Sequence, residues 1–152
     1  MRFAIGCDHA GLSLKATLAE RLQQRGHTVQ DLGTDGPASC DYADFAEAVA
    51  RAVSQGQADQ GLLVCGTGIG MSIAANKVPG VRAAVLSDTF SARSTRQHND
   101  ANVLCLGERV VGAGLALDIL DAWLDASFEG GRHQRRVDKI TALEASASRS
   151  HE

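Results

Sequence analysis

Short apolar runs alternate with longer amphipathic stretches about five times along this chain, and that alternation constrains the fold more than any single motif. Phe3-Ala4-Ile5-Gly6-Cys7 is a short strand candidate. The helix expected after it carries Leu14, Leu18 and Leu22 at i, i+4 spacing, with Gly26 where a helix C-terminus favours glycine. Residues 27–32 alternate like a strand nearer a sheet edge. Residues 33–40 combine Gly, Pro, Thr, Asp and Ser and form a loop. Asp41 or Asp44 then caps a helix with Phe45, Val49 and Val53 on one face. Gly61-Leu62-Leu63-Val64-Cys65 is continuously apolar, as a parallel strand buried on both faces requires. Residues 81–86 and 102–106 repeat that theme around a helix expected over 88–97. Ala116, Ile119, Leu120 and Trp123 mark a later helix, and a last one is expected over 132–143. Right-handed crossovers place the helices on both faces of such a sheet, so the pattern predicts a doubly wound α/β fold.

A chain of 152 residues suits one domain with a proper core. That domain is expected over residues 1–145, with 146–152 a polar, disordered tail. No apolar stretch approaches the roughly 20 residues that span a bilayer. Residues 1–5 are too short for the apolar core of a signal peptide, so a cytoplasmic location is expected. A formal charge of -3 argues against binding nucleic acid through phosphate neutralisation, though not against a local basic pocket.

In an open parallel sheet, ligands bind beyond the carboxyl ends of the strands. Two such places are rich in reactive groups: Cys7-Asp8-His9 after the first strand, and Cys65-Gly66-Thr67-Gly68-Ile69-Gly70 after the third. Glycines at 66, 68 and 70 let the backbone turn tightly and approach a ligand. A helix expected to begin near Ser72 would aim amide groups at the same place. A cysteine beside a helix start has its thiolate favoured, which makes it a better base or nucleophile. A buried strand-end cysteine with a structural glycine turn is the plainer alternative. The other cysteines read as small core residues of a reducing compartment, Cys105 above all.

Competing motifs fail on spacing. A dinucleotide fingerprint would need glycine where Met71 stands, and no GxxxxGK[ST] phosphate loop occurs. A thiol phosphatase would need Arg six residues after its cysteine, where Met71 and Ser13 stand instead. No His lies three to five residues from another His or Cys, so no metal is expected. A flavin module would need flanking aromatics, and the single Trp lies at core spacing.

Two further stretches carry polar groups. Residues 94–102 end one helix and include His98 and Asn99. Arg132 and Arg136 share a helical face after Gly130-Gly131, which suits either a solvated basic face or a phosphate clamp. Arg109, just past the last strand, is placed to join them.

Four strings together resemble the ribose-5-phosphate isomerase type B family: Gly6-Cys7-Asp8-His9-Ala10-Gly11, Cys65 through Lys77, Ser94 through Val103, and Glu129-Gly130-Gly131-Arg132-His133. That family includes isomerases of galactose 6-phosphate and allose 6-phosphate. The resemblance implies a Rossmann-like three-layer α/β/α sandwich around a five-stranded parallel sheet. It also implies a homodimer or dimer of dimers with shared active sites, and catalysis through a cis-enediolate with no cofactor. It makes Cys65 the base; relatives without this cysteine use a glutamate a few residues later, and residues 68–73 offer no carboxylate. Thr67 would relay protons, and the amides of Gly66, Thr67, Gly68, Ile69, Gly70 and Met71 would stabilise the enediolate. His98 from the partner subunit would open the sugar ring, assisted by Asp8. His9, Arg132, Arg136 and a partner's Arg109 would hold the phosphate, and Tyr42 and Asn99 would line the sugar. The implied activity is interconversion of ribose 5-phosphate and ribulose 5-phosphate. A six-carbon aldose 6-phosphate is the alternative substrate, and a non-catalytic phosphosugar-binding module the alternative class.

Overall fold

The computed structural model describes residues 1–149. Five parallel strands, β1 (Arg2–Cys7), β2 (Thr28–Asp31), β3 (Gln60–Cys65), β4 (Ala83–Val85) and β5 (Val103–Gly107), lie in the order β2-β1-β3-β5-β4. Six helices connect and cover them: α1 (Leu12–Gln24), α2 (Tyr42–Ser54), α3 (Ile69–Ala75), α4 (Thr89–Asn99), α5 (Ala113–Leu124) and α6 (Arg132–Arg149). The Rossmann-like three-layer sandwich expected from the sequence is the fold observed.

The pleat divides each central strand between two cores. Phe3, Ile5 and Cys7 of β1, Leu62 and Val64 of β3, and Leu104 and Leu106 of β5 pack with Leu14, Leu18 and Leu22 of α1 and Ile119, Leu120 and Trp123 of α5. The intervening Ala4, Leu63, Cys65, Val103 and Cys105 turn to the opposite face, against α2 and α3. This period-2 partition explains why these strands read as continuous apolar runs: both faces are covered. Trp123 is fully buried, and its indole N–H donates to Gln60 Oε1 at 2.6 Å, so the one polar atom of that ring is satisfied. The α1 N-terminus has no capping side chain of its own. Glu108 supplies one from beyond β5, accepting from the Leu14 amide at 3.1 Å.

From β1 the chain moves outward to β2, then returns to the other side of β1 with β3. The order reverses between β1 and β3, so the crevice opens where Cys7-Asp8-His9 and Cys65-Gly66-Thr67 leave the sheet.

Three expectations need correction. The helix after β3 begins at Ile69 rather than near Ser72, because Gly68 takes a left-handed φ of +78° and turns the chain at once. The strand expected over 81–86 pairs only over Ala83–Val85, since β4 is an edge strand with β5 its sole neighbour. The last helix runs to Arg149 rather than stopping at Leu143, so it takes in residues 146–149 of the expected tail. No Gly or Pro interrupts residues 132–149, and the Glu144 carboxylate accepts from the Gly80 amide at 3.1 Å, tying this turn to the domain. The rest of the expected tail, residues 150–152, lies outside the described residues. No helix among the described residues is long and apolar enough to cross a membrane.

Candidate active site

The loop from β3 into α3 builds one half of the site. Cys65 ends β3 almost fully buried, and its Sγ accepts the Gly68 N–H at 3.1 Å. The left-handed turn at Gly68 makes that contact possible. A Cβ there would lie 2.9 Å from the Leu106 carbonyl carbon, so glycine is required twice over. Thr67 is exposed, and its Oγ1 accepts the Ile69 N–H at 3.3 Å. The α3 ladder starts when Ser72 N donates to Gly68 O. The amides of Gly70 and Met71 lie ahead of that ladder and, with those of Gly66 and Thr67, have no acceptor among the described residues, so these four can meet an oxyanion. Two of the six amides assigned to the enediolate, those of Gly68 and Ile69, are thus already engaged within the loop.

Tyr42 opens α2 and lays its ring over Gly70, where a Cβ would come within 2.7 Å of Cε2. Arg109, exposed beyond β5, reaches back over Gly66 of its own chain; a Cβ on Gly66 would lie 3.7 Å from its Nη1. The loop after β1 adds the next pair. Asp8 is buried, and one carboxylate oxygen accepts from the Ala10 amide at 2.9 Å. His9 accepts the Cys40 N–H on Nδ1 at 3.3 Å, which assigns its ring proton to Nε2, the edge left for a ligand. Burial pushes the Cys7 thiol up to about 11, and burial raises that of Cys105 still further. Both are inert core groups at neutral pH. Cys105 belongs to the core as expected.

The remaining predicted residues gather at the meeting of α4 and α6. His98 and Asn99 end α4, followed by Asp100, the only described non-glycine residue with positive φ, at 45°. Arg82 and Arg96 hold it there. Arg82 Nη2 donates to the Asp100 carbonyl at 2.9 Å, and Arg96 Nη1 donates to its carboxylate at 3.0 Å while its guanidinium lies over Trp123. A strained residue immediately after two predicted site residues, pinned by two arginines, fixes where those side chains leave the helix. Thr95 donates to Asn99 Oδ1 at 3.2 Å, leaving the amide nitrogen outward. Arg132 and Arg136 stay exposed on one face of α6, and neither pairs with a carboxylate among the described residues.

Two residues of this second group, Glu129 and His133, stood in the fourth string of the sequence with no role assigned. His133, buried on the inner face of α6, stacks on His98 with ring centroids 4.3 Å apart and planes 8° from parallel. Glu129 Oε2 faces both rings, 3.5 Å from His133 Nε2 and 3.9 Å from His98 Nε2. The available signal was the i, i+4 spacing of Glu129 and His133, which says nothing of His98 until α4 is packed against α6. All three ligand atoms fall within 4.8 Å of one another. An ion bound by imidazole lies near the ring plane, however, and two stacked parallel planes do not meet at one point. The cluster is built as a stack rather than as a chelate.

No hydrogen bond or ion pair among the described residues joins the Cys65 group to the His98 group. Around the first group and the nearby sheet edge, Ile69, Ile73, Val85 and Phe90 expose apolar side chains.

A profile of the ribose/galactose isomerase family matches residues 3–140. The chain is 54% identical over 143 residues to ribose-5-phosphate isomerase B of Escherichia coli, covering 94% of this chain and 96% of that one. Among solved structures, ribose-5-phosphate isomerase B of Clostridium thermocellum superposes with a TM-score of 0.95 at 56% identity, covering 97% of this chain and 99% of its own. The enzyme from Mycoplasma genitalium with bound ribulose 5-phosphate gives a TM-score of 0.91 at 46% identity, with 95% and 96% covered.

Proposed function

This chain belongs to the ribose/galactose isomerase family and is an aldose–ketose isomerase, and we propose that it interconverts ribose 5-phosphate and ribulose 5-phosphate through a cis-enediolate with Cys65 as base. One observation carries the assignment of the base: a buried sulfur at the end of β3, hydrogen-bonded to the Gly68 amide, beside the uncommitted amides of Gly70 and Met71. The first contact fixes where the sulfur points, and the second offers donors to an enediolate oxygen.

The reaction then follows from the residue types. His98, supplied by a second copy of the chain, opens the furanose by protonating the ring oxygen and accepting the anomeric hydroxyl proton, with the free oxygen of Asp8 on a sugar hydroxyl. Cys65 removes the C2 proton, and the developing charge on O1 meets the loop amides. Thr67 moves a proton between O1 and O2, and the Cys65 thiol returns its proton to C1. His9 through Nε2–H, together with Arg132, Arg136 and Arg109, holds the phosphate, while Tyr42 and Asn99 flank the carbon chain. Phosphate binding remote from the reacting carbons aligns C1 and C2 with the sulfur. No group in this sequence of steps requires a metal or cofactor.

A homodimer with shared sites is supported by the lack of any hydrogen bond or ion pair between the two polar groups among the described residues and by the exposed apolar residues near the sheet edge. A cytoplasmic location fits a metabolic isomerase of this kind. The test of substrate is kcat/KM for ribose 5-phosphate beside allose 6-phosphate and galactose 6-phosphate. Preference for the pentose is expected; preference for a hexose would keep the chemistry and overturn the substrate, and no turnover of any would overturn both.

A further inference from the structure

We propose that His133 and Glu129 are positioning residues for the ring-opening step: His133 fixes the plane of the His98 imidazole by stacking, and Glu129 fixes which edge of that ring faces the sugar. This rests on the reading of His98 as the ring-opening group.

The geometry separates the two imidazoles by role. His98 keeps 43% of its side chain exposed, while His133 keeps 7%, so only the first can reach a substrate. A half-exposed histidine at a helix end would ordinarily sample several orientations. Here one face of His98 is covered by a parallel ring at van der Waals distance. The covering ring is itself held: His133 is the second residue of α6, one position beyond two glycines of positive φ, and its amide donates to the Gly130 carbonyl at 3.0 Å. Glu129 is anchored to α4 directly, its amide donating to the Gln97 carbonyl at 3.0 Å. The backbone next to His98 thus holds the carboxylate that faces His98.

The charges agree with a neutral platform. Burial, His98 and the neighbouring Arg132 and Arg136 push the His133 imidazolium below the ordinary histidine range, against the opposing pull of Glu129. A neutral ring stacks on His98 in either protonation state of the latter. A second cation at that distance would repel it.

Ring opening can be read apart from proton transfer. Ribulose 5-phosphate cannot close a five-membered ring, because O5 is esterified. Exchange of its C1 proton with solvent deuterium therefore needs Cys65 but no ring chemistry, whereas net formation of ribose 5-phosphate needs both. The experiment measures the ratio of C1 deuterium wash-in to net conversion, starting from ribulose 5-phosphate, for the full-length protein and its variants. His98→Ala is expected to raise the ratio at least about tenfold by slowing conversion alone. His133→Ala should raise it in the same direction, and His133→Phe, which keeps a stacked ring, should restore a near-native ratio. Glu129→Gln, at an exposed position, should raise it more weakly. If alanine at 133 does not fold, His133→Leu fills the volume without stacking and takes its place. The proposal is overturned if the 133 variants lower exchange and conversion together, or change neither, while His98→Ala raises the ratio. If His98→Ala leaves the ratio unchanged, the reading of His98 falls first and this proposal with it.

Discussion

The amide of Gly68 points at the sulfur of Cys65 from 3.1 Å, across a turn that requires a left-handed residue. Backbone conformation and the position of the sulfur are therefore coupled. Gly68→Ala should lower stability by about 1–3 kcal/mol, from the φ of +78° and from the clash with Leu106, and should also lower kcat. Urea denaturation alongside steady-state kinetics checks this; a variant of native stability and native kcat would show that the turn tolerates a side chain.

Cys65→Ala should reduce turnover by about 10²–10⁴-fold, the usual contribution of a positioned base, while phosphosugar affinity changes little. Calorimetric titration with ribose 5-phosphate measures the second quantity. Turnover near the native rate would remove Cys65 from the mechanism.

Mixing Cys65→Ala chains with His98→Ala chains tests site sharing. If each site draws on both copies, a mixed dimer contains one site with both residues intact, and activity returns to about half that of the native dimer when normalised to mixed dimers. Failure to regain any activity from verified mixed dimers would place both groups in one chain's own site.

Acid should weaken the fold from near-neutral pH downward. His27, in contact with Phe3 and facing the N-terminal ammonium and Arg25, and His133 both hold their protons less tightly in the folded state than in the unfolded chain. The unfolded state then binds more protons below the ordinary histidine pKa of about 6.5, so stability is fullest above that value and declines as pH falls through it. Stability measured from pH 8 to pH 5 should fall, and His133→Phe should flatten the slope. A flat native profile would contradict the shifts.

The thiols should react unequally. With its pKa near 11, Cys7 carries almost no thiolate at pH 7.5, and buried Cys105 carries less. Iodoacetamide labelling of the native protein, followed by mass spectrometry, should leave both unmodified while half-buried Cys40 reacts. Labelling of Cys7 at the rate of Cys40 would show that the core opens there.

What could be read from the sequence was what depends on near neighbours. The apolar run at 61–65 identified a strand covered on both faces, and the glycines after Cys65 placed the reactive loop. Where local pattern fell short, a distant partner decided the outcome. Which loop amides remain uncommitted depends on Gly68 turning back to its own strand's cysteine. How far β4 extends depends on its edge position. The helical course of residues 146–149 is continuous with a helix tied down by Glu144 at Gly80, a contact between positions 64 apart. The stacking of His98 and His133 joins two helices whose sequences carry no sign of each other.

The strand order has a consequence for how the protein is made. β4 is synthesised before β5, yet β5 is its only neighbour in the sheet and separates it from β3. A nascent chain that has emerged only through α4 therefore holds a fourth strand with nowhere to dock, while β1, β2 and β3 can already pair. The pairing of β1, β2 and β3 uses no residue beyond Cys65, so the half of the sheet carrying Asp8, His9 and Cys65 has all its strands in the chain before β5 is made. His98 and Asn99 sit in the segment between β4 and β5, so the sheet that carries them is complete only once β5 lies between β3 and β4.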